Sequence, residues 1–350
     1  MDPFTQGIVG TTVAQSGSKR DTLIIASIIG LLAGLAADLD IFIRSSTNPL
    51  LFLEYHRHFT HSIFFIPFGA LICSVVFYYL FSKRNKLSFR QTYFFSFLGY
   101  ATHGIIDSFT TYGTLLFWPF SDERIAWNTI SVIDPIFTIP IFILVILSIV
   151  KRNKKFSIYA IVWILFYQLI ACSQKLRAED LIYDYAQTLK HKVKFIEAKP
   201  SFGNIIVWKV IYSTSEKYYV NAIRLSLDHK IYPGESIEKL DVSKSFPWLD
   251  ASSQQAKDIE KFRWFSNGYL GIDKKDRDII YDVRFSTIPN QVEGLWGIKL
   301  DKTKSDLEHV EYVTNRKRDL DRFIILINMF SCTHENLKIY QDRVWKESLS

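Results

Sequence analysis

The chain reads as a multi-pass α-helical membrane domain over residues 1–175, followed by a soluble α/β (α+β) domain over 176–350. Three observations predict this. Five apolar runs, about 22–43, 62–81, 91–106, 132–150 and 156–172, approach the ~20 residues that a ~30 Å hydrocarbon core requires. Basic clusters, Lys19-Arg20, Lys83-Arg84-Asn-Lys86 and Lys151-Arg152-Asn-Lys154-Lys155, punctuate those runs. From about Lys175 onward, charged residues mix with short β-like stretches.

Composition agrees. A mean hydropathy of +0.08 is high for a soluble protein and low for one embedded throughout. The net charge of +7 is concentrated in clusters that flank hydrophobic blocks. That placement suits solvated membrane borders, with phospholipid contact as a secondary role, and argues against a nucleic-acid surface.

The segment 6–15 precedes the first run and reads as a re-entrant or interfacial helix. The N-terminus lacks the positive region of a signal peptide. With five spans, the three basic clusters fall on one side, which the positive-inside rule makes cytoplasmic. Loops 44–61 and 107–131 and everything beyond 172 then lie outside. In the second half, 178–190 has helical spacing, while 204–212 and 218–225 read as strands joined by a polar turn. Further strands are expected at 278–285 and 294–300. The aromatic cluster at 262–269 reads as core packing or as a lid over a membrane-surface site. Cys73, Cys172 and Cys332 form no CxxC pair; a Cys172–Cys332 disulfide would fit an oxidising compartment, though the spacing does not call for it.

Metal-type ligands gather at the ends of apolar runs. Asp38 and Asp40 close the first, His56, His58 and His61 precede the second, and His103 and Asp107 close the third. Ionisable groups at such depth are costly unless paired or metal-bound. His103 and Asp107, four apart, share a helix face. Asp38 and Asp40 converge only if the helix ends near Ala37 and the chain then extends, as is expected where Asp competes for backbone donors. His58 and His61 have i,i+3 spacing, and His56 and His61 have i,i+5. Taken singly, each residue has an ordinary structural explanation as a hydrogen-bonded interface histidine or helix-end carboxylate. Four histidines and three carboxylates at three helix ends on one side point instead to metal.

Mixed imidazole and carboxylate donors without thiolate suit zinc first, then manganese or iron, as one or two divalent ions. Arg57 and Arg124 would bind an oxyanion or phosphate, or else pair with a nearby Asp. Asp134 could cap the fourth run, orient a His, or ligate directly. GxSxG, HExxH and phosphate-cradling glycine loops are missing from the sequence.

The motifs Asp38-Leu-Asp40, His56-Arg57-His58-Phe59-Thr60-His61-Ser62, His103-Gly-Ile-Ile-Asp107-Ser-Phe-Thr110-Thr-Tyr112-Gly113-Thr114, Trp118-Pro119-Phe120-Ser121 and Ile133-Asp134-Pro135 resemble the YdjM-like family. That family groups LexA-regulated, membrane-bound, predicted metal-dependent hydrolases, and the resemblance covers about residues 1–150. The later segment, with 204–208 and 264–268, is similar to a longer bacterial subgroup. Two departures stand out: Gln6 where many members have His, and His58 where Gly is usual.

The resemblance implies a bacterial inner-membrane protein whose His and Asp motifs bind metal and hydrolyse a substrate. The expected assignment has Asp38, Asp40, His56, His61, His103 and Asp107 holding metal, with Arg57 or Arg124 on an oxyanion. His58 or Asp134 would move protons. The expected substrate is a phosphoester or acyl ester of a lipid or envelope precursor, attacked by metal-activated water. A metal-ion transporter or sensor, or a non-catalytic membrane anchor for the C-terminal domain, are the rival readings.

Overall fold

A computed structural model describes residues 1–315 and 320–331. Cys332 and His334 lie outside the described residues. The chain divides into two compact units, Met1–Ser173 with Phe202–Ile205, and Gln174–Ser201 with Ile206–Ser350.

The first unit is helical. Its helix α1 (Pro3–Ser16) starts at Asp2, whose carboxylate accepts the Thr5 N–H, and Pro3 occupies the first turn, where no N–H is needed. At about 1.5 Å per residue this helix is roughly 21 Å long, short of a hydrocarbon core. It is buried over most of its surface by α2 (Leu23–Leu35), α5 (Phe89–Ser108) and α6 (Pro135–Lys151). Several of the polar side chains this buries find partners: Thr12 donates to the Ile8 carbonyl and Gln15 Nε2 to Ser27 Oγ. Helices α1 and α2 meet backbone to backbone. A Cβ on Gly10 would stand 2.5 Å from the Gly30 carbonyl oxygen, so glycine is required at that crossing.

Among the described residues, three stretches are long and apolar enough to cross a membrane: Leu23–Phe42, Ile63–Ser82 and Lys155–Thr188. The first is α2 with a 3₁₀ helix, Ala36–Phe42, appended. The second joins a 3₁₀ turn, Ile63–Phe65, to α4 (Ile66–Phe77) and a π turn, Tyr78–Ser82. The third is α7. The other two expected runs are helices of a different kind. Helix α6 is apolar but has 17 residues, and α5 has 20 residues diluted by Arg90, Gln91, His103 and Asp107. A short helix, α3 (Leu51–Tyr55), lies between the first two stretches. The fifth run and the helix expected at 178–190 are one continuous helix, because Ser173-Gln-Lys-Leu-Arg177 contains no breaker.

The second unit is α+β, and among the described residues all its strand pairs are antiparallel. One sheet has the order β1 (Phe195–Pro200), β2 (Val207–Ser213), β3 (Lys217–Leu225), β4 (His229–Tyr232), with β5 (Ser236–Glu238) also pairing β3. The other runs β6 (Leu270–Ile272), β7 (Ile279–Asp282), β8 (Trp296–Lys299), β9 (Glu311–Thr314). Between the sheets in sequence come α8 (Val242–Ser245) and α9 (Gln254–Phe265), and α10 (Leu320–Ser331) follows. Short connections join neighbouring strands, and none is the helical crossover that a parallel pair needs. The aromatic cluster at 262–269 packs inward, with Phe262 and Phe265 fully buried.

Every residue of β2 is buried, Lys209 included. Its ammonium donates to Ser286 Oγ at 2.8 Å and to the Gln291 carbonyl at 3.1 Å, and among the described residues no ion pair to a carboxylate joins them. Burial pushes its pKa down to about 7. The unfolded chain, where lysine titrates near 10.4, therefore binds the extra proton between about pH 7 and 10, so this group makes stability rise with pH in that window. Comparing Lys209→Met with the parent by denaturant unfolding at pH 6.5, 8 and 9.5 should show the variant's relative stability highest at pH 6.5 and falling toward 9.5.

Candidate metal centre

The site is assembled from three helix ends of the first unit. Helix α2 stops at Leu35, close to the expected end, but the chain does not then extend: it tightens into the 3₁₀ helix Ala36–Phe42. At three residues per turn, Asp38 and Asp40 are offset around the helix and take different tasks, although ligand atoms of the two still come within 4.8 Å.

In the 56–62 segment, Arg57 adopts a left-handed backbone, φ 63°, which is strained for a non-glycine residue. It is held there because its N–H donates to Asp40 Oδ2 (2.9 Å), its guanidinium pairs with Asp107 Oδ2 (3.0 Å) and donates to Thr110 Oγ1 (2.9 Å), and it stacks over Tyr112. That reversal leaves His56 and His61 with the carboxylates and sends His58 the other way, among Tyr55, Phe59 and Trp118. His61 closes a 3₁₀ turn, Phe59–His61, and Ser62 caps the turn after it by accepting the Phe65 N–H. Glycine next to His103 lets this segment sit directly on α5, since a Cβ on Gly104 would collide with the His61 carbonyl.

Four donor atoms then converge. His61 Nε2 lies 2.9 Å from His103 Nε2, and each nitrogen is 3.3 Å from Asp38 Oδ1. Asp107 Oδ2 is 3.4 Å from His61 Nε2 and 3.7 Å from His103 Nε2. The opposite ring nitrogens are anchored. His103 Nδ1 lies 2.6 Å from the Gly34 carbonyl oxygen, an acceptor, so it carries the proton and leaves Nε2 a lone pair. His61 Nδ1 faces Thr60 Oγ1 (3.0 Å) and Asp40 Oδ2 (3.2 Å). Burial resists charging of His61, but its hydrogen bonds with Asp107, Asp38 and Asp40 outweigh that and push it up to about 10. The surrounding carboxylates therefore favour positive charge on the His61 ring.

The donor set fits a metal ion. Four atoms around an ion at ~2.0–2.1 Å in a tetrahedron stand roughly 3.3 Å from one another, and the observed separations bracket that figure. Asp38, Asp40 and His56 make a second group with ligand atoms within 4.8 Å of one another. Asp40 is engaged as a brace, since it also accepts from His56 Nδ1 (2.8 Å), the Arg57 N–H and Thr60 Oγ1 (3.0 Å). His56 is part-exposed, and burial holds its pKa below the ordinary histidine value against the pull of Asp40.

All six residues expected as ligands thus stand in one cluster, and the four expected catalytic residues stand around or outside it. Arg57 is ion-paired with Asp107, the plainer of its two expected readings. Arg124 Nη2 donates to the Gly113 carbonyl (2.9 Å), and its guanidinium lies beside Tyr112. Burial, with Arg124 nearby, lowers the His58 pKa. Asp134 is a helix cap: Oδ1 accepts from the Ile136 and Phe137 N–H groups and Oδ2 accepts from the Tyr167 hydroxyl at 2.6 Å. Residues not singled out as functional also contribute. Gln6 Nε2 donates to Asp107 Oδ1 (2.9 Å), which also pairs with the Met1 amino group. Thr60 and Tyr112 appear in the motifs but carry no sequence signal for their roles.

Comparison with known proteins gives a consistent placement. A family model described as YdjM inner membrane protein matches residues 1–178, which includes every residue of the cluster. The chain is 24% identical over 273 residues to an uncharacterized protein, YfhP, of Bacillus subtilis, covering 77% of this chain and 79% of that protein. No solved structure matches the chain.

The division of labour between Asp40 and Asp134 is testable by elemental analysis and thermal unfolding. Asp40→Asn should weaken cation retention roughly 10–100-fold, as loss of a ligand-orienting partner does. Asp134→Ala should cost about 1 kcal/mol of stability through the lost cap and leave cation content unchanged.

Proposed function

The chain belongs to the YdjM inner membrane protein family, and from that premise we propose that it is a membrane-bound metal-dependent hydrolase. The observation that carries this reading is the four-atom convergence of His61, His103, Asp38 and Asp107. These residues would hold one divalent cation, zinc first by donor type and spacing, manganese or iron next. Asp38, Asp40 and His56 are the donors available to a second. When bound, the cation supplies Lewis acidity, polarising an ester or phosphoryl oxygen and bringing water toward ionisation near neutral pH.

The chain's own groups do the rest. Asp40 fixes the ring planes of His56 and His61, and the Gly34 carbonyl fixes that of His103. Arg57 offsets the charge of Asp107, leaving the cluster less negative than its three carboxylates alone would make it. Asp38 and His56 are the partly exposed members, so substrate approaches from their side. With Nδ1 tied to Asp40, His56 would exchange protons through Nε2, a role the sequence assigned to His58 or Asp134. Arg124, beside the same Tyr112 ring that Arg57 stacks over, is a further cation for an anionic substrate.

The substrate class this reading favours is a phosphoester or acyl ester in a lipid or envelope-related compound. Two features support it: Asp38 and Asp40 end one candidate span, and His61 immediately precedes another. Five passes through a bacterial inner membrane would put the basic clusters in the cytoplasm, and the cluster and the C-terminal domain outside. Ion capture without chemistry, as in a transporter or sensor, uses the same ligands and is distinguished by turnover.

Detergent-purified protein should contain stoichiometric transition metal, lost in His61→Ala and His103→Ala. It should hydrolyse generic phosphodiester or acyl-ester reporters, with activity abolished by the same substitutions and by chelation and restored by divalent ions. Metal without turnover of either reporter would leave ion capture as the function, and absence of metal from the parent would end the reading.

A further inference from the structure

The loop between α5 and α6 has a feature that the metal cluster does not use. Thr114 and Ile125 pair antiparallel, each N–H donating to the other's carbonyl (3.0 and 2.9 Å), and so close the base of a hairpin. Its tip is Phe117-Trp118-Pro119-Phe120. One side of this hairpin is tied to the segment that carries the histidines. The Leu115 N–H donates to the Arg57 carbonyl (3.0 Å), the Ile63 N–H donates to the Leu116 carbonyl (2.9 Å), and Trp118 packs on His58 and Phe59. The other side carries Phe120, which is 83% exposed, and the exposed Phe117. The ring is held outward by a braced backbone, since the tip closes a turn in which the Phe120 and Ser121 N–H groups donate to the Phe117 carbonyl and the Trp118 N–H to that of Leu115.

The apolar surface continues from the tip onto a candidate span. Phe120 meets Phe64 edge-to-face at a centroid distance of 5.9 Å, and Phe64 meets Phe68 at 5.7 Å. Phe64 and Phe68 are exposed residues of Ile63–Ser82. Exposed Asp122 and Glu123 follow the tip after Ser121 and would oppose deep burial. Aromatic rings at the end of a span, followed by acids, suit the boundary between acyl chains and headgroups.

We propose that the 117–120 tip is a leaflet anchor: its phenylalanines seat in the lipid bilayer at headgroup–acyl depth, continuous with the lipid-facing side of Ile63–Ser82. Because Leu115 and Trp118 tie the tip to the His56–His61 segment, and Leu116 ties it to Ile63 just beyond, the anchor fixes the donor cluster at the same depth. A lipid headgroup can then approach Asp38 and His56 laterally. The anchor rests on the loop geometry and on the span, and does not require the cluster to be catalytic.

The test uses full-length protein in phosphatidylcholine vesicles, with Cys73→Ala, Cys172→Ser and Cys332→Ser as background. An environment-sensitive dye is attached at Phe120→Cys, with Leu227→Cys, fully exposed in the second unit, as the reference. The dye at 120 should emit blue-shifted, be quenched several-fold more by lipid carrying a nitroxide near the headgroup than by aqueous iodide, and show the reverse preference at 227. Equal iodide access at both positions overturns the proposal. So does a dye at 120 shielded from both quenchers, which would mark a protein neighbour. A second pair, Phe117→Cys and Phe64→Cys, reads the same depth from rings on either side, so a misfolded Phe120 variant does not decide the outcome. Metal content measured on the same samples keeps this result separate from the fate of the hydrolase reading.

Discussion

The structure of the first unit turns on one electrostatic constraint. Two imidazole nitrogens and two carboxylate oxygens point at a common centre in a buried environment, where repulsion is weakly screened. Such a group persists only if positive charge is supplied. Arg57 supplies part of it beside Asp107, and a proton on His61 could supply more. A divalent cation would answer the whole demand at once and satisfy all four donors, while a single proton bridges only two of them. Much of the surrounding structure can be understood as holding these atoms close despite their mutual repulsion.

Close approach of backbone is one such device. Glycine at 104 lets the His61 carbonyl reach α5, and glycines at 10 and 30 bring α1 onto α2, so that Gln6 can donate to Asp107. The strained backbone at Arg57 is another. A positive φ at a bulky residue costs about 1–3 kcal/mol, and here it is offset by four named interactions around the same side chain and N–H. Without that reversal, His56 and His58 would follow the turn differently, and the histidine pointing at Trp118 could be the wrong one.

Much of this was legible in the sequence because ligand type and helix periodicity are local signals. His103 and Asp107 at i,i+4 on α5 required nothing else, and the apolar runs 22–43 and 62–81 announced two of the candidate spans. What was not legible depended on backbone choices with no residue-level marker. Whether the chain after Ala37 extends or tightens into a 3₁₀ helix is decided by its packing, and so were the separate tasks of Asp38 and Asp40. His58 looked equivalent to its neighbours because spacing alone does not encode a left-handed Arg57. Asp134 was ambiguous for a different reason: an Asp-Pro opening a helix always looks like a cap, and only Tyr167, 33 residues away, completes that reading. In the second unit the β-branched and aromatic runs at 204–212 and 218–225, with a polar turn between them, gave strands close to β2 and β3. Lys209, buried in the middle of one, could not be foreseen from a residue type that is almost always exposed.

Asp40 shows how much a carboxylate can hold in place apart from any role as a ligand. Its two oxygens receive the His56 ring, the Arg57 N–H, the Thr60 hydroxyl and the His61 ring, and so one side chain fixes two imidazoles and the strained turn between them. Because it stands on the 3₁₀ helix that ends a candidate span, the orientation of both histidines is coupled to where α2 stops. The other rings have comparable ties, His103 to the α2 carbonyl of Gly34 and the segment's far side to the aromatic hairpin through Leu115 and Leu116. Donors borrowed from helix ends are thus held by contacts to other helix ends rather than by a single rigid element. A site organised in this way is positioned by helix packing, which explains why crossings that admit only glycine lie so close to its ligands.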